Sequence, residues 1–331
     1  MDVLKHYQNV PASQQGCSLA IGNFDGVHKG HQKVLSSAMQ IASENGCPSG
    51  VMAFEPHPRV FFQPQRPLFR LTSLEAKLEL FSTFGLDLAA VMPFDAAMAS
   101  LSAQEFVRHV LVEGFNVSHV VTGFNFFFGK GRGGNPQVLR ELGEQYGFGV
   151  TTVEVQGEAG DRFSSSRVRE LLQEGDPRGA AEMLGYWWRI NGTVTGGAQR
   201  GTWLGFPTAN ITLKNSEEFH HGIYAVRVYI DDGVHHGASY LGTRPTFDDG
   251  HPVLETFLFD FDEDIYGKQI SIELIDFIRE DIRFRDETEL KANMTKDCEK
   301  ARSILEKIEQ ADPMLQFPLG RARHMPYKPA R

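Results

Sequence analysis

A chain of 331 residues with 33 Lys and Arg against 42 Asp and Glu carries a net charge of −9, and 41% of it is hydrophobic. That balance excludes disorder as a whole-chain state, leaves enough apolar surface for about two cores, and argues against nucleic acid or an anionic membrane as partner, since both draw basic surfaces. Cys17, Cys47 and Cys298 are odd in number and form no C-x-x-C pair, so a disulfide framework is excluded and a reducing compartment is expected.

The first half alternates strands with helices. Residues 17–21 read as a strand that runs into a Gly-punctuated turn. Val34, Leu35, Ala38, Met39, Ile41 and Ala42 then share one face at helical spacing. Apolar runs at 50–54 and 89–94 predict two further strands. Ser102 and Glu105 have the spacing of a capping box and open a helix to about Glu113. A strand at 118–122, a helix from Pro136 to Tyr146, a strand at 149–155 and a helix at 166–174 follow. Near-continuous apolar strands alternating with helices imply a parallel sheet covered on both faces.

The pattern changes after Leu184. Between Trp188 and Asp276 only short strand candidates occur, separated by Gly, Pro, Asp and Asn. Runs at 223–230 and 237–241 flank Asp231-Asp232-Gly233, a hairpin signal. Residues 271–277 predict another strand. A long helix runs from Glu287 to Ile308, capped by Asp286 and striped with Leu290, Met294, Ala301, Leu305 and Ile308. This half predicts a small antiparallel β-barrel with a terminal helix. The expected domains are 1–185, α/β, and 186–311, all-β, followed by a loose Pro- and Arg-containing tail at 312–331. The 25 phenylalanines read as core packing. The first ten residues lack a signal-peptide pattern. No run reaches the length of roughly 20 apolar residues that a membrane span needs. The expectation is a cytoplasmic protein without a membrane partner.

The segment Gly22-Asn23-Phe24-Asp25-Gly26-Val27-His28-Lys29-Gly30-His31 falls where a strand gives way to a helix. Ligands bind at such strand ends, and the helix start offers unpaired N–H groups and a positive dipole end to phosphate. His28 and His31 lie three apart and share the first turn. Two imidazoles there suit a phosphate whose charge grows during nucleotidyl transfer, a matter of positioning and electrostatics. By itself the pair suits a surface position equally well. Zinc would want a third ligand, and none stands at suitable spacing.

The whole string resembles the H-x-G-H signature of nucleotidyltransferases, in the G-N-F-D-G-V-H-x-G-H form of prokaryotic FAD synthetases. Three more segments are similar to that family in the same order: Phe54-Glu55-Pro56-His57-Pro58, the Gly123-Phe124-Asn125-Phe126-Phe127-Phe128-Gly129 loop, and Ser164-Ser165-Ser166-Arg167-Val168-Arg169. The resemblance implies a Rossmann-like nucleotidyltransferase domain. It implies His28 and His31 in catalysis, with ATP and phosphates on Gly22, Asn23, Phe24, Asp25, Gly26, Asn125, Ser164, Ser165 and Arg169. Phe124, Phe126 and Phe128 become candidates for stacking on a flavin ring, with core packing as the alternative. Phe127 and Ser166 depart from the usual pattern, Ser166 keeping the hydroxyl.

Further on, a Gly-rich stretch from Gly192 through Gly197 to Gly201 precedes Leu204-Gly205-Phe206-Pro207-Thr208-Ala209-Asn210. Glycine-rich backbone can wrap a polyphosphate, but no Gly-Lys-Ser/Thr ending makes this a P-loop. Thr208 and Asn210 alternate onto one side of an extended strand, where two oxygens can point at one Mg²⁺. An ordinary turn would place the same residues for structural reasons. The string resembles the riboflavin kinase module, and Gly222-Ile223-Tyr224, Gly242-Thr243-Arg244-Pro245-Thr246, Glu255-Thr256-Phe257 and Phe277-Ile278-Arg279 follow in family order. That resemblance implies Glu255 as general base and Mg²⁺ on Thr208 and Asn210. It implies ATP or flavin contacts from Gly192, Gly197, Gly205, Pro207, Thr208, Asn210 and Arg279. Thr202 stands where the family often has Arg.

Together the two resemblances span about residues 15–310, in the order of the bifunctional prokaryotic riboflavin kinase/FAD synthetase family. They imply phosphorylation of riboflavin to FMN by the second module and adenylyl transfer from ATP to FMN by the first, giving FAD and pyrophosphate. The implied partners are riboflavin, FMN and ATP, with no nucleic acid. Two rivals remain: an adenylyltransferase for another acceptor carrying an inert β module, and a flavin-binding protein with inactive sites. Oligomeric state is not legible.

Overall fold

The computed structural model describes residues 1–66, 68–154, 163–195, 208–213, 219–243 and 252–323. The chain divides into two compact units, Met1–Ser165 and Ser166–Arg331.

The first unit is built on six strands: β1 (Asp2–Leu4), β2 (Ser18–Ile21), β3 (Ser49–Glu55), β4 (Leu88–Pro93), β5 (His119–Gly123) and β6 (Gly149–Val153). They lie in the order β1-β4-β3-β2-β5-β6, every pairing parallel. The predicted strands are there, and every residue of β2 is buried, as a parallel strand covered on both sides requires. The helices are α1 (Lys29–Asn45), α2 (Pro58–Phe62), α3 (Leu74–Phe84), α4 (Ala96–Ser100), α5 (Ala103–Glu105), α6 (Pro136–Tyr146) and α7 (Ser165–Gln173). Val34, Leu35, Ala38 and Ala42 form the buried face of α1, which ends on Gly46 in left-handed conformation (φ 63°).

Ser102 and Glu105 make the capping box in full: Ser102 Oγ accepts from the Glu105 N–H, and the Glu105 carboxylate accepts from the Ser102 N–H. The single helix expected to run on from there instead widens into π-helical turns over Phe106–Val112. Several elements stand outside the expected set, among them α2, α4, β1 and α3. β1 is a three-residue edge strand, too short for a periodic signal. α3 is opened by Ser73, whose side chain accepts from the Ala76 N–H.

The second unit begins with the rest of α7 and α8 (Pro177–Leu184). Its strands are β7 (Arg189–Thr193), β8 (Thr208–Thr212), β9 (Gly222–Ile230), β10 (Gly233–Thr243), β11 (Pro252–Leu258) and β12 (Gln269–Arg279), in the order β7-β12-β9-β10-β11-β8. All pairings are antiparallel, and the Asp231-Asp232 turn joins β9 to β10. Past β7, the Thr195 N–H donates to the Asn210 carbonyl at 2.8 Å, bridging the two edge strands and curling the sheet toward a barrel. A Cβ on Gly192 would stand 2.3 Å from Ile211 Cγ2, so only glycine admits the close approach of these edges.

Helix α9 (Glu287–Gln310), capped by Asp286, buries Ala301, Leu305 and Ile308 against Ala225, Ala238 and Ile275 of the sheet. Over its described residues, 312–323, the segment after it is folded. Pro313–Gln316 forms a 3₁₀ turn and α10 (Pro318–Arg323) a short helix, with Met314 and Leu319 buried. The reason is electrostatic as well as apolar. Asp312 accepts from Arg227 Nη2 at 2.8 Å and from Trp187 Nε1 at 2.9 Å, inside a buried set that also pairs Glu273 with Arg189 and Arg227. Burial opposes the charge on Arg227, yet the Glu273 carboxylate and the Asp312 hydrogen bond hold its guanidinium above the ordinary arginine range. Pro content suggested a free tail, but a single acid bound to a buried cation outweighs it.

Candidate active sites

In the first unit the strand order reverses beside β2: the chain leaves it for β3 on one side, while β5 flanks the other. The crevice at the carboxyl ends of strands at such a switch point is where open α/β sheets bind ligands. Ile21 pairs with Thr122, so the loops leaving β2 and β5 emerge side by side. The sequence-predicted segments 22–31 and 123–129 therefore meet at one edge of the sheet. Glu55-Pro56-His57 leaves β3, the neighbour of β2 on the other side, at the same edge.

The loop from Gly22 to His28 is tightly held. Phe24 and Val27 both have positive φ, 50° and 40°, a costly conformation for side chains of that size. What compensates is a clamp from residues 71–77. The buried Asp25 carboxylate accepts from the Leu71 and Thr72 N–H groups and from Thr72 Oγ1. Thr72 Oγ1 in turn accepts from the Gly26 N–H at 3.1 Å. Lys77 donates from Nζ to the Asn23 carbonyl at 2.9 Å. At the far end Ser165, the first residue of α7, donates to the Asp25 carbonyl at 2.8 Å.

His28 caps α1: its Nδ1 accepts from the His31 N–H at 3.2 Å. That fixes the tautomer, leaving Nε2 as the protonated nitrogen. The two imidazoles stack, ring centroids 3.6 Å apart. Burial first, then the neighbouring His28 and Lys77, hold the His31 pKa well below its ordinary value. His31 is therefore neutral near pH 7, and its buried Nδ1 has no hydrogen-bond partner among the described residues. Gly22, Asn23, Phe24, Asp25 and Gly26 line this turn, with Phe24 and Asp25 buried and Asn23 exposed.

The loop after β5 divides its phenylalanines. Phe128 is buried, stacked on the half-buried Phe126 at 5.4 Å and packed on Phe106, so Phe128 packs in the core and Phe126 against its edge. Phe124 is 38% and Phe127 47% exposed, and the Arg132 guanidinium lies 4.5 Å over the Phe127 ring. Asn125 is exposed beside them. Ser164 and Ser165 precede and open α7; Arg169 lies on that helix.

In the second unit the register does the assembly. Asn210 stands directly opposite Glu255 on β11, and Thr208 opposite Phe257. Opposite residues on an antiparallel pair share a face, with Cβ atoms roughly 5 Å apart. Thr208, Asn210 and Glu255 thus present their side chains together. Asn210 Nδ2 donates to the Thr208 carbonyl at 3.1 Å, which orients the amide and leaves Oδ1 as its acceptor. Glu255 is half-buried and also registers with Tyr240. Arg279 lies elsewhere in its bonding: its guanidinium forks onto Asp297 of α9 at 2.7 and 3.0 Å and tethers that helix to β12. Gly192 serves the strand contact with Ile211 described above. Gly197, Thr202, Gly205 and Pro207 lie outside the described residues.

Sequence reasoning missed Thr72, Lys77 and the Glu55–Arg70 fork, whose two hydrogen bonds measure 2.8 and 2.7 Å. The available signal was Lys77 itself, a lysine three and four residues before Leu80 and Phe81 on an otherwise apolar stripe.

Among known proteins, the FAD synthetase family profile matches residues 10–167 and the riboflavin kinase profile residues 184–305. The bifunctional riboflavin kinase/FMN adenylyltransferase of Escherichia coli K12 is 37% identical over 86% of this chain and 92% of its own length. The Bacillus subtilis protein of the same description is 38% identical over 86% and 90%, and that of Haemophilus influenzae 36% over 92% and 99%. A crystal structure from Streptococcus pneumoniae, described as a macrolide-efflux protein, matches with a TM-score of 0.80 at 27% identity, covering 91% of this chain and 98% of its own. Among the described residues no helix is long and apolar enough to cross a membrane.

A parallel-sheet module followed by a curled antiparallel one, each with its matching profile, defines a two-module transferase of flavin biosynthesis. The chain belongs to the bifunctional riboflavin kinase/FMN adenylyltransferase family. It converts riboflavin to FMN and FMN to FAD.

Proposed function

We propose that the two steps run at the two sites just described, one in each unit. Phosphorylation uses the face shared by Thr208, Asn210 and Glu255. Glu255 takes the proton from the terminal ribityl hydroxyl as that oxygen attacks the γ-phosphate of ATP and ADP leaves. The observation that carries this assignment is the pairing of Asn210 with Glu255 across the ladder, which puts a base beside a phosphate-side ligand.

Mg²⁺ fits this face. Thr208 and Asn210 offer hard oxygen donors from alternate positions of one strand, and Asn210 Oδ1 is kept for such a role by the amide's hydrogen bond. The ion, held by these two residues, would neutralise phosphate charge. The neighbouring carboxylate of Glu255 stays with the hydroxyl.

Adenylyl transfer uses the switch point of the parallel sheet. A phosphate oxygen of FMN attacks the α-phosphate of ATP, the bond to pyrophosphate breaks, and no strong base is needed because the nucleophile is already an anion. The task is to meet growing charge with prearranged donors. His28 Nε2–H, the neutral His31 and the N-terminus of α1 supply them. Gly22 and Gly26 allow phosphate to approach the backbone, Asn125 contributes an amide, and Ser164, Ser165 and Arg169 add a second set at the start of α7. Phe124 and Phe127 offer exposed faces to the isoalloxazine ring. Cytoplasmic residence agrees with three cysteines that form no disulfide.

The deciding assay gives the protein riboflavin, ATP and Mg²⁺ and separates products over time. FMN followed by FAD is expected. FAD only from supplied FMN would leave the β module inert, and no product would reduce the chain to a flavin binder.

A further inference from the structure

Lys77 is 1% exposed. A lysine that deep gives up its hydration, and burial, the largest influence on it, pulls its pKa below the ordinary value. Such a group is retained where its charge has work to do. Its Nζ donates to the Asn23 carbonyl at 2.9 Å, in the middle of the turn that carries His28 and His31. The groups whose charges reach it are Asp25, Arg70 and Glu55, all around that turn or paired beside it. None of them touches solvent freely: Asp25 is buried, and the Glu55–Arg70 fork is three-quarters covered on both sides.

From this geometry we infer that Lys77 is a positioning residue for adenylyl transfer: its ammonium fixes the Asn23 carbonyl, and with it the left-handed Phe24 and Val27 that aim the histidine-bearing end of the turn. The inference rests on reading this turn as the adenylyl-transfer site. The argument is one of leverage. Phe24 and Val27 hold strained backbone that relaxes unless something over-determines it. Asp25 and Thr72 pin the turn on its Gly26 side, and Lys77 pins it at Asn23. The same charge also acts on His31, adding to burial and to His28 in lowering the pKa of that imidazole. Loss of the ammonium therefore has two separable effects, a turn that wanders and a histidine that protonates more readily.

The test uses the full chain and compares Lys77→Met, Lys77→Arg and His31→Ala. Lys77→Met is expected to lower kcat for FAD formation from FMN by tenfold to a hundredfold, the scale of a misplaced catalytic group, with KM for ATP changed less than threefold. FMN formation from riboflavin, the work of the second unit, stays within twofold, and an unfolding transition of the first unit (Met1–Ser165) that matches the parent's reports that the unit holding Lys77 is folded. Lys77→Arg, which keeps the donor and the charge, restores at least a third of the lost kcat. The His31 imidazole, followed by NMR, titrates at higher pH in Lys77→Met than in the parent and not in Lys77→Arg. A folded Lys77→Met with unchanged FAD formation and an unmoved His31 titration overturns the inference. If Lys77→Met does not fold, Lys77→Gln takes its place with the same expectations and the same overturning result. If His31→Ala itself leaves FAD formation intact, it is the reading of the turn that fails, and the inference with it.

Discussion

Asn210 and Glu255 are direct partners across β8 and β11, and Asn210 is also the residue that the Thr195 bridge meets, drawing the sheet's edges together. The same asparagine thus closes the barrel with its carbonyl and presents its amide to the face that holds the carboxylate. The proposed phosphorylation face and barrel closure share a residue, so displacing β8 should disturb both at once.

Replacing the carboxylate without moving the strand separates chemistry from fold. Glu255→Gln keeps size and hydrogen bonding but accepts no proton. FMN formation should fall by about 10²–10⁴-fold, the usual worth of a general base. FAD formation from supplied FMN should stay within twofold, measured by product chromatography on one preparation.

The converse applies to the histidine turn. His28→Ala combined with His31→Ala should reduce FAD formation by about 10²-fold or more, on the scale of lost transition-state donors, with FMN formation retained. A folded variant of either kind that loses both steps would contradict the two-site reading.

Stability of the first unit should fall with pH below neutrality. His31 has its pKa held below the ordinary 6.5, burial being the main cause. Between that depressed value and 6.5 the unfolded chain binds a proton that the folded chain does not, so stability rises with pH across this window and is lost as pH falls from 6.5. The slope from this group is at most about 1.4 kcal/mol per pH unit. Urea midpoints at pH 7.5 and 5.0 should differ, and His31→Gln should shrink the difference.

Asp25 does structural work beneath the turn. Asp25→Ala removes the carboxylate that accepts from the buried Leu71 and Thr72 N–H groups, at about 1–3 kcal/mol for each hydrogen bond lost from a buried donor. A lower thermal midpoint for the unit, with FAD formation lost before FMN formation as temperature rises, is the expected result.

Asp312→Ala should be among the most damaging single changes in the second unit. It removes one of the two carboxylates that pair with Arg227 among the described residues and leaves Glu273, which Arg189 also claims. Removing one member of a buried ionic set costs about 3–5 kcal/mol. Circular dichroism melts should show it, with FMN formation as the activity most affected.

Much of both sites was legible in the residues. The strand–turn–helix around His28 and His31 announces itself through apolar periodicity and glycine placement, and the capping box at Ser102 through two residues. What escaped was long-range. Asp25 reaches Leu71 and Thr72 across more than forty residues, and no local pattern marks an acid as an anchor rather than a ligand. The phenylalanines of the 124–128 loop carry the same letter, and only packing separates the buried Phe128 from the open Phe127. Arg279 sits in a kinase-like string but spends its fork on Asp297, a partner eighteen positions on and in another element. Asp312 misled for the converse reason: its Pro-rich context signals looseness, while its worth comes from Arg227 and Trp187, encoded far upstream.

The acid at position 312 also gives the second unit a late partner during synthesis. Until Asp312 emerges, Arg227 lacks one of its two carboxylates among the described residues. The parallel sheet of the first unit is complete by Val153, well ahead of it, and the domains of a growing chain fold as units in order. A growing polypeptide should therefore finish the half assigned to consuming FMN before the half assigned to making it.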